Sequence, residues 1–310
     1  MIRVALVGAR GFVGFELIQL IDKHPLAQLV AAYSREYVGK KISKIVKGFS
    51  DTKLLYSADE LQGLAELNLD VVFLALPNNI AAKYKHQWQQ MSHDTCIIDL
   101  SSDFRFDDEW TYGQPETCAK KIKGQNLIAN PGCYATASQL GLLPISNNID
   151  GVPHIFGVSG YSGAGSKPSD KNNPKKLKDN LMAYKLVDHI HENEVSRVLG
   201  QQVYFMPHVG EFFRGIHLTI SIQLKKSQTV SEIINTYNKA YKNHELIEVT
   251  NIVPEVRDIQ NTHKVNIGGF SLKDKHLVLC VTIDNLLKGA ATQAIQNMNL
   301  SLGFDMDFGF

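Results

Sequence analysis

The stretch VALVGARGFVGFEL, residues 4–17, decides the fold. An aliphatic run of strand character stops at Gly8. Gly8, Gly11 and Gly14 follow at three-residue intervals, and Phe12, Val13, Leu17, Ile18 and Ile21 then take helical spacing. A glycine pattern that leaves a strand and opens a helix is the context in which a dinucleotide fingerprint becomes credible. The glycines let the backbone approach a pyrophosphate, which rests on the amides of the helix N-terminus. Gly8, Arg10, Gly11, Phe12, Val13 and Gly14 are therefore candidate cofactor-binding residues. The competing reading, a chance strand–helix turn, explains neither the spacing nor the context.

The pattern continues outward. AQLVAAYS reads as a second strand, SADELQGLAEL as a helix opened by a Ser57-x-x-Glu60 capping box, and LDVVFLALP and TCIIDLSS as further strands. Their continuous apolar character suits strands buried on both faces. Strands alternating with helices predict a doubly wound parallel sheet. Beyond about residue 149 the texture changes. HIFGVSGYSGAGSKPSDKNNPKK is a strand-like run leading into a Gly/Ser/Lys/Pro loop, and LTISIQL, LIEVTNIV and KHLVLCVTIDN alternate as strands around the helix VSEIINTYNKAYKNH. These segments predict a second, α+β domain with a largely antiparallel or mixed sheet.

Composition narrows the function. The chain has 310 residues, enough for two domains, and its formal net charge of +1 provides no electrostatic case for nucleic-acid or membrane binding. No apolar run is long enough to span a bilayer, and the start is not a secretory signal. The four cysteines form no CxxC pair, so no zinc site or disulfide framework is expected, and a reducing cytoplasm fits.

The second strand ends in Ser34-Arg35 where an NAD site usually carries a carboxylate, although Glu36 follows. A hydroxyl and a guanidinium suit a 2′-phosphate, so NADP is the expected cofactor. Among the cysteines, Cys96 and Cys280 sit in apolar strand runs as buried hydrophobes, and Cys118 reads as surface loop. Cys133 differs. In NLIANPGCYATAS, Asn130-Pro131-Gly132 breaks a strand and Cys133 begins a small-residue helix. The positive end of a helix dipole favours the thiolate. A thiolate needs a base, and on spacing alone His208, His189, His191 and His217 compete.

The segments NPGCYAT, IIDLSSDFRF, YGQPE, SGYSGAG, PHVGEFFRGI and DNLLKGAATQAIQNMNL resemble the N-acetyl-γ-glutamyl-phosphate reductases of arginine biosynthesis, in the same order and over nearly the whole chain. The resemblance implies a Rossmann-type domain of residues 1–133 plus 289–310 and a mixed-sheet substrate and oligomerisation domain of residues 134–288. It implies NADPH-dependent reduction of an acyl phosphate, N-acetyl-L-glutamyl 5-phosphate, to its semialdehyde through a thioester on Cys133. It also implies a homodimer or homotetramer and no metal. His208 is the general acid–base it favours. Arg105, helped by Ser101 and Ser102, is the phosphate site, the bland alternative being an Asp103–Arg105 surface pair. Arg214 and His191 are further substrate-binding candidates. Ser162, Gly163 and Ala164, with Pro77 and Asn285, border the nicotinamide. The chain departs from the family in carrying Asn78-Asn79 where His-Gly is usual, and His217 where Leu is usual. The same resemblance admits related acyl-phosphate reductases, acting on aspartyl or aminoadipyl phosphates, or a silent NADP-binding protein.

Overall fold

The computed structural model describes residues 1–58, 61–91 and 93–310. The chain forms two compact units, Met1–Gly132 with Ala290–Phe310, and Cys133–Gly289.

The first unit is built on seven strands: β1 (Ile2–Val7), β2 (Ala27–Tyr33), β3 (Tyr56–Ser57), β4 (Val71–Leu74), β5 (Cys96–Asp99), β6 (Thr111–Tyr112) and β7 (Leu127–Ala129). They are all parallel, in the order β3-β2-β1-β4-β5-β7-β6. β4 shows why these sequences are uniformly apolar. Val71 and Phe73 enter the core on one face and Val72 and Leu74 the core on the other, and all four are fully buried. The order reverses at β1, whose neighbours are β2 and β4. Ligands bind at such switch points in open α/β sheets, outside the carboxyl ends of the strands. The C-terminal helix Thr292–Ser301 belongs to this unit, burying Ala294, Ile295 and Met298 in its core.

Two expectations need revision here. Leu61–Leu67 forms a 3₁₀ rather than an α-helix, and the capping residue Glu60 lies outside the described residues. Cys118 stands on the helix Pro115–Ile122 rather than in a loop, with Pro115 in the first turn.

The second unit is a seven-stranded mixed sheet: β8 (Ile149–Gly160), β9 (Met182–Ala183), β10 (Tyr204–Gly210), β11 (Ile216–Leu224), β12 (Ile247–Val249), β13 (Val265–Lys273) and β14 (His276–Ile283), in the order β12-β13-β14-β11-β8-β10-β9. The β8–β10 and β12–β13 pairs are parallel and the others antiparallel. Helices Cys133–Leu142, Ile190–Leu199 and Val230–Tyr241 contribute to a single core with one face of this sheet. Gly141 lets the first of them lie close to the sheet: a Cβ there would sit 2.7 Å from Ile220 Cδ1, which would have to move aside. The Tyr237 and Tyr241 hydroxyls donate to the carbonyls of Gly141 and Leu140 at the end of the same helix. The alternate residues of β8, β10, β11 and β14 face the other way, where Phe156 and Tyr204 are exposed.

Candidate active site

In the first unit the glycine loop divides by cause. Gly8 has φ +86°, and a Cβ on it would lie 2.3 Å from the Ala75 carbonyl oxygen at the end of β4. A Cβ on Gly14 would lie 2.9 Å from Gly8 O. The chain's own packing excludes side chains at both positions. Gly11 is different: its nearest neighbour would be 4.0 Å away and its φ is ordinary. Gly11 is also the N-cap of helix Phe12–Lys23 and offers no capping side chain. A side chain there would fill the open end of the helix, where the dipole and the first-turn amides favour an anion. The residues present therefore fit a dinucleotide pyrophosphate.

At the end of β2, Ser34 is buried and its Oγ accepts from Tyr37 N (3.3 Å). Arg35 and Glu36 are exposed. The Arg10 guanidinium pairs with Glu36, so the carboxylate that follows β2 is neutralised from the glycine loop.

After β4 and β5, two loops meet. Pro77, Asn78 and Asn79 are exposed. Ser102 N donates to Asn78 Oδ1 (3.1 Å), and Asp103 accepts from the backbone amides of Asn79 (2.6 Å) and Ala82 (3.0 Å). Asp103 is thus occupied with backbone, and the surface Asp103–Arg105 pair considered above does not form. Arg105 is buried and donates Nε–H to Asn130 O (2.9 Å) and Nη2 to Leu100 O (3.1 Å). Asn130 also accepts from Asn297 Nδ2 (2.9 Å), on the C-terminal helix. Beneath them Asp99 accepts from Ser101 N and Oγ. Burial raises its pKa to about 6 against the lowering effect of the Ser101 hydrogen bonds and of Arg105.

In the second unit Cys133 is the first residue of its helix and is half-buried. A Cβ on Gly289 would lie 2.7 Å from Cys133 Cβ, so the backbone of the DNLLKGAA segment presses directly on the thiol residue. Next to it Tyr134 is buried. Its hydroxyl donates to the His208 carbonyl (2.8 Å), and its ring meets those of Phe205 (centroids 4.8 Å) and His191 (5.9 Å). His189 caps helix Ile190–Leu199, its Nδ1 accepting from His191 N (3.1 Å). Burial, with Lys171 and Lys185 nearby, lowers the His189 pKa to about 4, which keeps it a neutral acceptor. Tyr184 packs on His189 (5.7 Å) beneath the Lys171 ammonium (4.6 Å). Its hydroxyl is pushed above the usual phenol range by burial first and by the Cys133 charge second.

The four competing histidines separate by sheet face. Phe205 shares the face of Tyr134; His208, three residues on in a strand of unbroken register, points to the opposite face and stacks on Phe156 (4.4 Å). His217 pairs with Val158 on that same far face. The structure therefore gathers His189 and His191 at the Cys133 end of the helix pair and does not bring the His208 ring there.

Arg214 forms a fork with the fully buried Asp284, Nε–H to Oδ2 at 2.6 Å and Nη2 to Oδ1 at 3.0 Å. Asp284 also accepts from the amides of Asn261, Leu286 and Leu287. Asn285 accepts from Gly215 N (2.7 Å) and donates to Ser162 Oγ (2.9 Å). Gly163 lies against Ser159, where a Cβ would be 2.7 Å from its Oγ, and Ala164 completes the 3₁₀ turn Tyr161–Ala164. These residues bolt the turn after β8 to the strap after β14. Sequence reasoning missed Gly289, Tyr134, Tyr184 and Asp284. Gly289 and Asp284 had a signal in their place inside DNLLKGAA, and Tyr134 in its place inside NPGCYAT; Tyr184 had none. Cys96 and Cys280 are buried in their strands, and burial pushes the Cys96 thiol up to about 12. Among the described residues no cluster of His, Cys, Asp and Glu suits a metal ion, and no helix is long and apolar enough to cross a membrane.

Comparison with known proteins matches this geometry to a class. Residues 3–125 match the family described as semialdehyde dehydrogenase, NAD binding domain, and residues 133–285 match semialdehyde dehydrogenase, dimerisation domain. The fold is that of aspartate semialdehyde dehydrogenase II from Vibrio cholerae, with a TM-score of 0.77 at 17% identity over 97% of this chain and 98% of that one. A Candida albicans aspartate semialdehyde dehydrogenase solved with NADP has a TM-score of 0.73 at 18% identity, over 97% and 98% of the two chains. Fold and family thus define an oxidoreductase of the semialdehyde dehydrogenase class. The sequence is 48% identical to N-acetyl-gamma-glutamyl-phosphate reductase from Xanthomonas campestris pv. campestris, over 97% of this chain and 96% of that protein. It is also 48% identical, over 98% of its length, to the bifunctional protein argC of Dictyostelium discoideum, of which it spans only 36%. Within its class, the chain belongs to the N-acetyl-gamma-glutamyl-phosphate reductase family.

Proposed function

We propose that the chain reduces N-acetyl-L-glutamyl 5-phosphate to N-acetyl-L-glutamate 5-semialdehyde, with NADPH as the reductant, in arginine biosynthesis. The observation that carries the chemistry is Cys133 at the start of a ten-residue helix, with Gly289 against its Cβ and the imidazoles of His189 and His191 at the same end of the helix pair. The Cys133 thiolate attacks the γ-acyl carbon and phosphate leaves with the bonding pair, giving a thioester. When bound, the reduced nicotinamide supplies the hydride that reduces the thioester carbonyl. The resulting hemithioacetal collapses to aldehyde and regenerates the thiolate. Helix-end amides stabilise the oxyanion formed at each addition. The proton on the hemithioacetal oxygen is assigned to His191, whose ring packs on Tyr134, in place of His208. Ser101, Ser102 and Arg105 take the phosphate. Gly11 and the amides that follow it take the pyrophosphate. Arg35 and Ser34 take the 2′-phosphate, and Glu36, bound to Arg10, does not oppose it. The uncovered face of the mixed sheet, with Phe156 and Tyr204, is where a second copy would pack in a homodimer.

The test runs the reaction backwards: semialdehyde, phosphate and NADP, with NADPH absorbance as readout. Cys133→Ser abolishes phosphate-dependent turnover and keeps NADP binding; retained turnover refutes the thioester. His191→Asn lowers kcat/KM by about 10²–10⁴ as loss of a general acid–base does, and His208→Asn does not. The reverse ranking returns the role to His208.

A further inference from the structure

The loops after β4 and β5 are joined by hydrogen bonds running in both directions. The β5 loop donates Ser102 N to Asn78 Oδ1 (3.1 Å), and the β4 loop returns the amides of Asn79 (2.6 Å) and Ala82 (3.0 Å) to the Asp103 carboxylate. The clamp is anchored below: Asp103 N donates to Ser101 Oγ (3.1 Å), which donates to the buried Asp99 (2.7 Å). On its other side the β4 loop begins at Ala75, whose carbonyl touches the α-carbon region of Gly8 so closely that no Cβ fits. Ala75 N also donates to Val7 O (2.8 Å). A continuous run of short contacts therefore leads from the glycine loop, through residues 75–82, to Ser101 and Ser102.

We infer that Asn78 and Asp103 are positioning residues that couple the cofactor loop to the phosphate loop, so that dinucleotide and phosphate bind with mutual reinforcement. The inference rests on the functional reading above, in which residues 8–14 take the dinucleotide and Ser101, Ser102 and Arg105 the phosphate. The physical reason is local. Asn78 and Asn79 are exposed and Asn79 has φ +64°, so at the exposed tip of the β4 loop the clamp is what ties the chain to the β5 loop. A ligand that orders either loop spends less ordering the other, and the gain is reciprocal. Asn78 is the residue that makes the exchange two-way in this chain, because its side-chain carbonyl is the acceptor for Ser102 N.

The experiment measures NADPH affinity by fluorescence titration with and without saturating inorganic phosphate, and no aldehyde, on the whole chain. In the unchanged protein phosphate tightens NADPH binding by about fivefold or more, the lower range of typical site–site coupling. Asn78→Ala and Asp103→Ala bring that ratio to about one, and both raise the KM for phosphate in the reverse assay more than they lower kcat. Asn78→Asp, which keeps an acceptor for Ser102 N, retains the coupling. Lys85→Met cuts a separate tie between the same two chain segments, from Lys85 to Asp107 (2.6 Å) and Glu109 (2.7 Å), and leaves the ratio unchanged. Equal coupling in the unchanged protein and in Asn78→Ala, or an equal loss in Lys85→Met, overturns the assignment while leaving the reductase reading intact. Failure of the unchanged protein to bind NADPH or to turn over with phosphate overturns both.

Discussion

In the parallel-sheet unit most candidate residues stand on a loop leaving the end of one strand or on the first helical turn after it, and contacts that involve the backbone of adjacent loops hold them. In the mixed-sheet unit the surroundings of Cys133 are assembled from distant segments, and side chains hold them. Gly8 against Ala75 O typifies the first; the Arg214–Asp284 fork and Asn285 between Gly215 and Ser162 typify the second. The lesson is that a dinucleotide loop is specified by where glycines stand, whereas a nucleophile's pocket is specified by which buried polar groups find each other. The sharpest test removes one such group. Asp284→Ala strands the Arg214 charge and the amides of Asn261, Leu286 and Leu287, and is expected to cost about 3–5 kcal/mol of unfolding free energy. Urea denaturation gives the number; a loss below about 1 kcal/mol, the scale of one ordinary hydrogen bond, would remove the distinction between the units.

Acid distinguishes them next. Asp99 has its folded pKa raised from 3.8 to about 6, so between those values the native state holds more protons than the unfolded chain. Its contribution is therefore fully present below pH 3.8 and lost as pH rises through 6, by at most on the order of 3 kcal/mol. His189 is lowered from 6.5 to about 4, so the unfolded chain takes the proton first and stability falls as pH drops from 6.5 towards 4. Stability curves from pH 4 to 7 for Asp99→Asn and His189→Asn, each subtracted from the unchanged protein, are expected to slope in opposite directions. Parallel differences would show that neither group titrates as its burial dictates.

The same contrast explains what could be read from sequence. In the first unit strand, glycine loop and helix are contiguous, so the parallel sheet, the glycine fingerprint and the strand break before Cys133 were all legible. In the second unit, three strands of the sheet escaped notice, the two-residue β9 among them. β10 contains Pro207, tolerated because its only neighbour on that side is the two-residue strand β9. β13 contains Gly268-Gly269, where the register with β14 shifts and Gly269 takes φ +64°. Missing β10 as a strand had a chemical consequence. Without its alternation, His208 could not be seen to point away from Phe205 and Tyr134, and the resemblance alone favoured it among the four histidines. Arg214 was legible only as a substrate-binding candidate; its commitment to Asp284, seventy positions on, exists only in the folded chain.

Gly289 tests the boundary between the two modes, since it acts through backbone in the unit otherwise held by side chains. Gly289→Ala places a methyl 2.7 Å from Cys133 Cβ, closer than carbon atoms pack, and the thiol must shift. Displacing a reacting group by about 1 Å costs roughly 100-fold in rate. The expected result is a fall of that order in kcat/KM with the NADPH affinity and melting temperature little changed. Unaltered kinetics would mean that the strap after β14 yields instead of the helix.

The smallest expected effect lies in the β4 loop, where Asn79 occupies φ +64°. That conformation costs most L-residues about 1–2 kcal/mol, and Asn and Gly least. The family's usual glycine at this place and the asparagine here are then two solutions to one backbone requirement. Both leave the amide N–H that Asp103 accepts at 2.6 Å. Asn79→Gly should stay within about 0.5 kcal/mol of the unchanged protein, because relief of the left-handed strain offsets glycine's extra unfolded-state entropy. Asn79→Val should lose about 1–2 kcal/mol, the penalty of a β-branched side chain in the same geometry. If glycine and valine behave alike in thermal melts, the loop relaxes to an ordinary φ when asked, and backbone geometry does not hold the first unit's loops as tightly as side-chain pairs hold the second's.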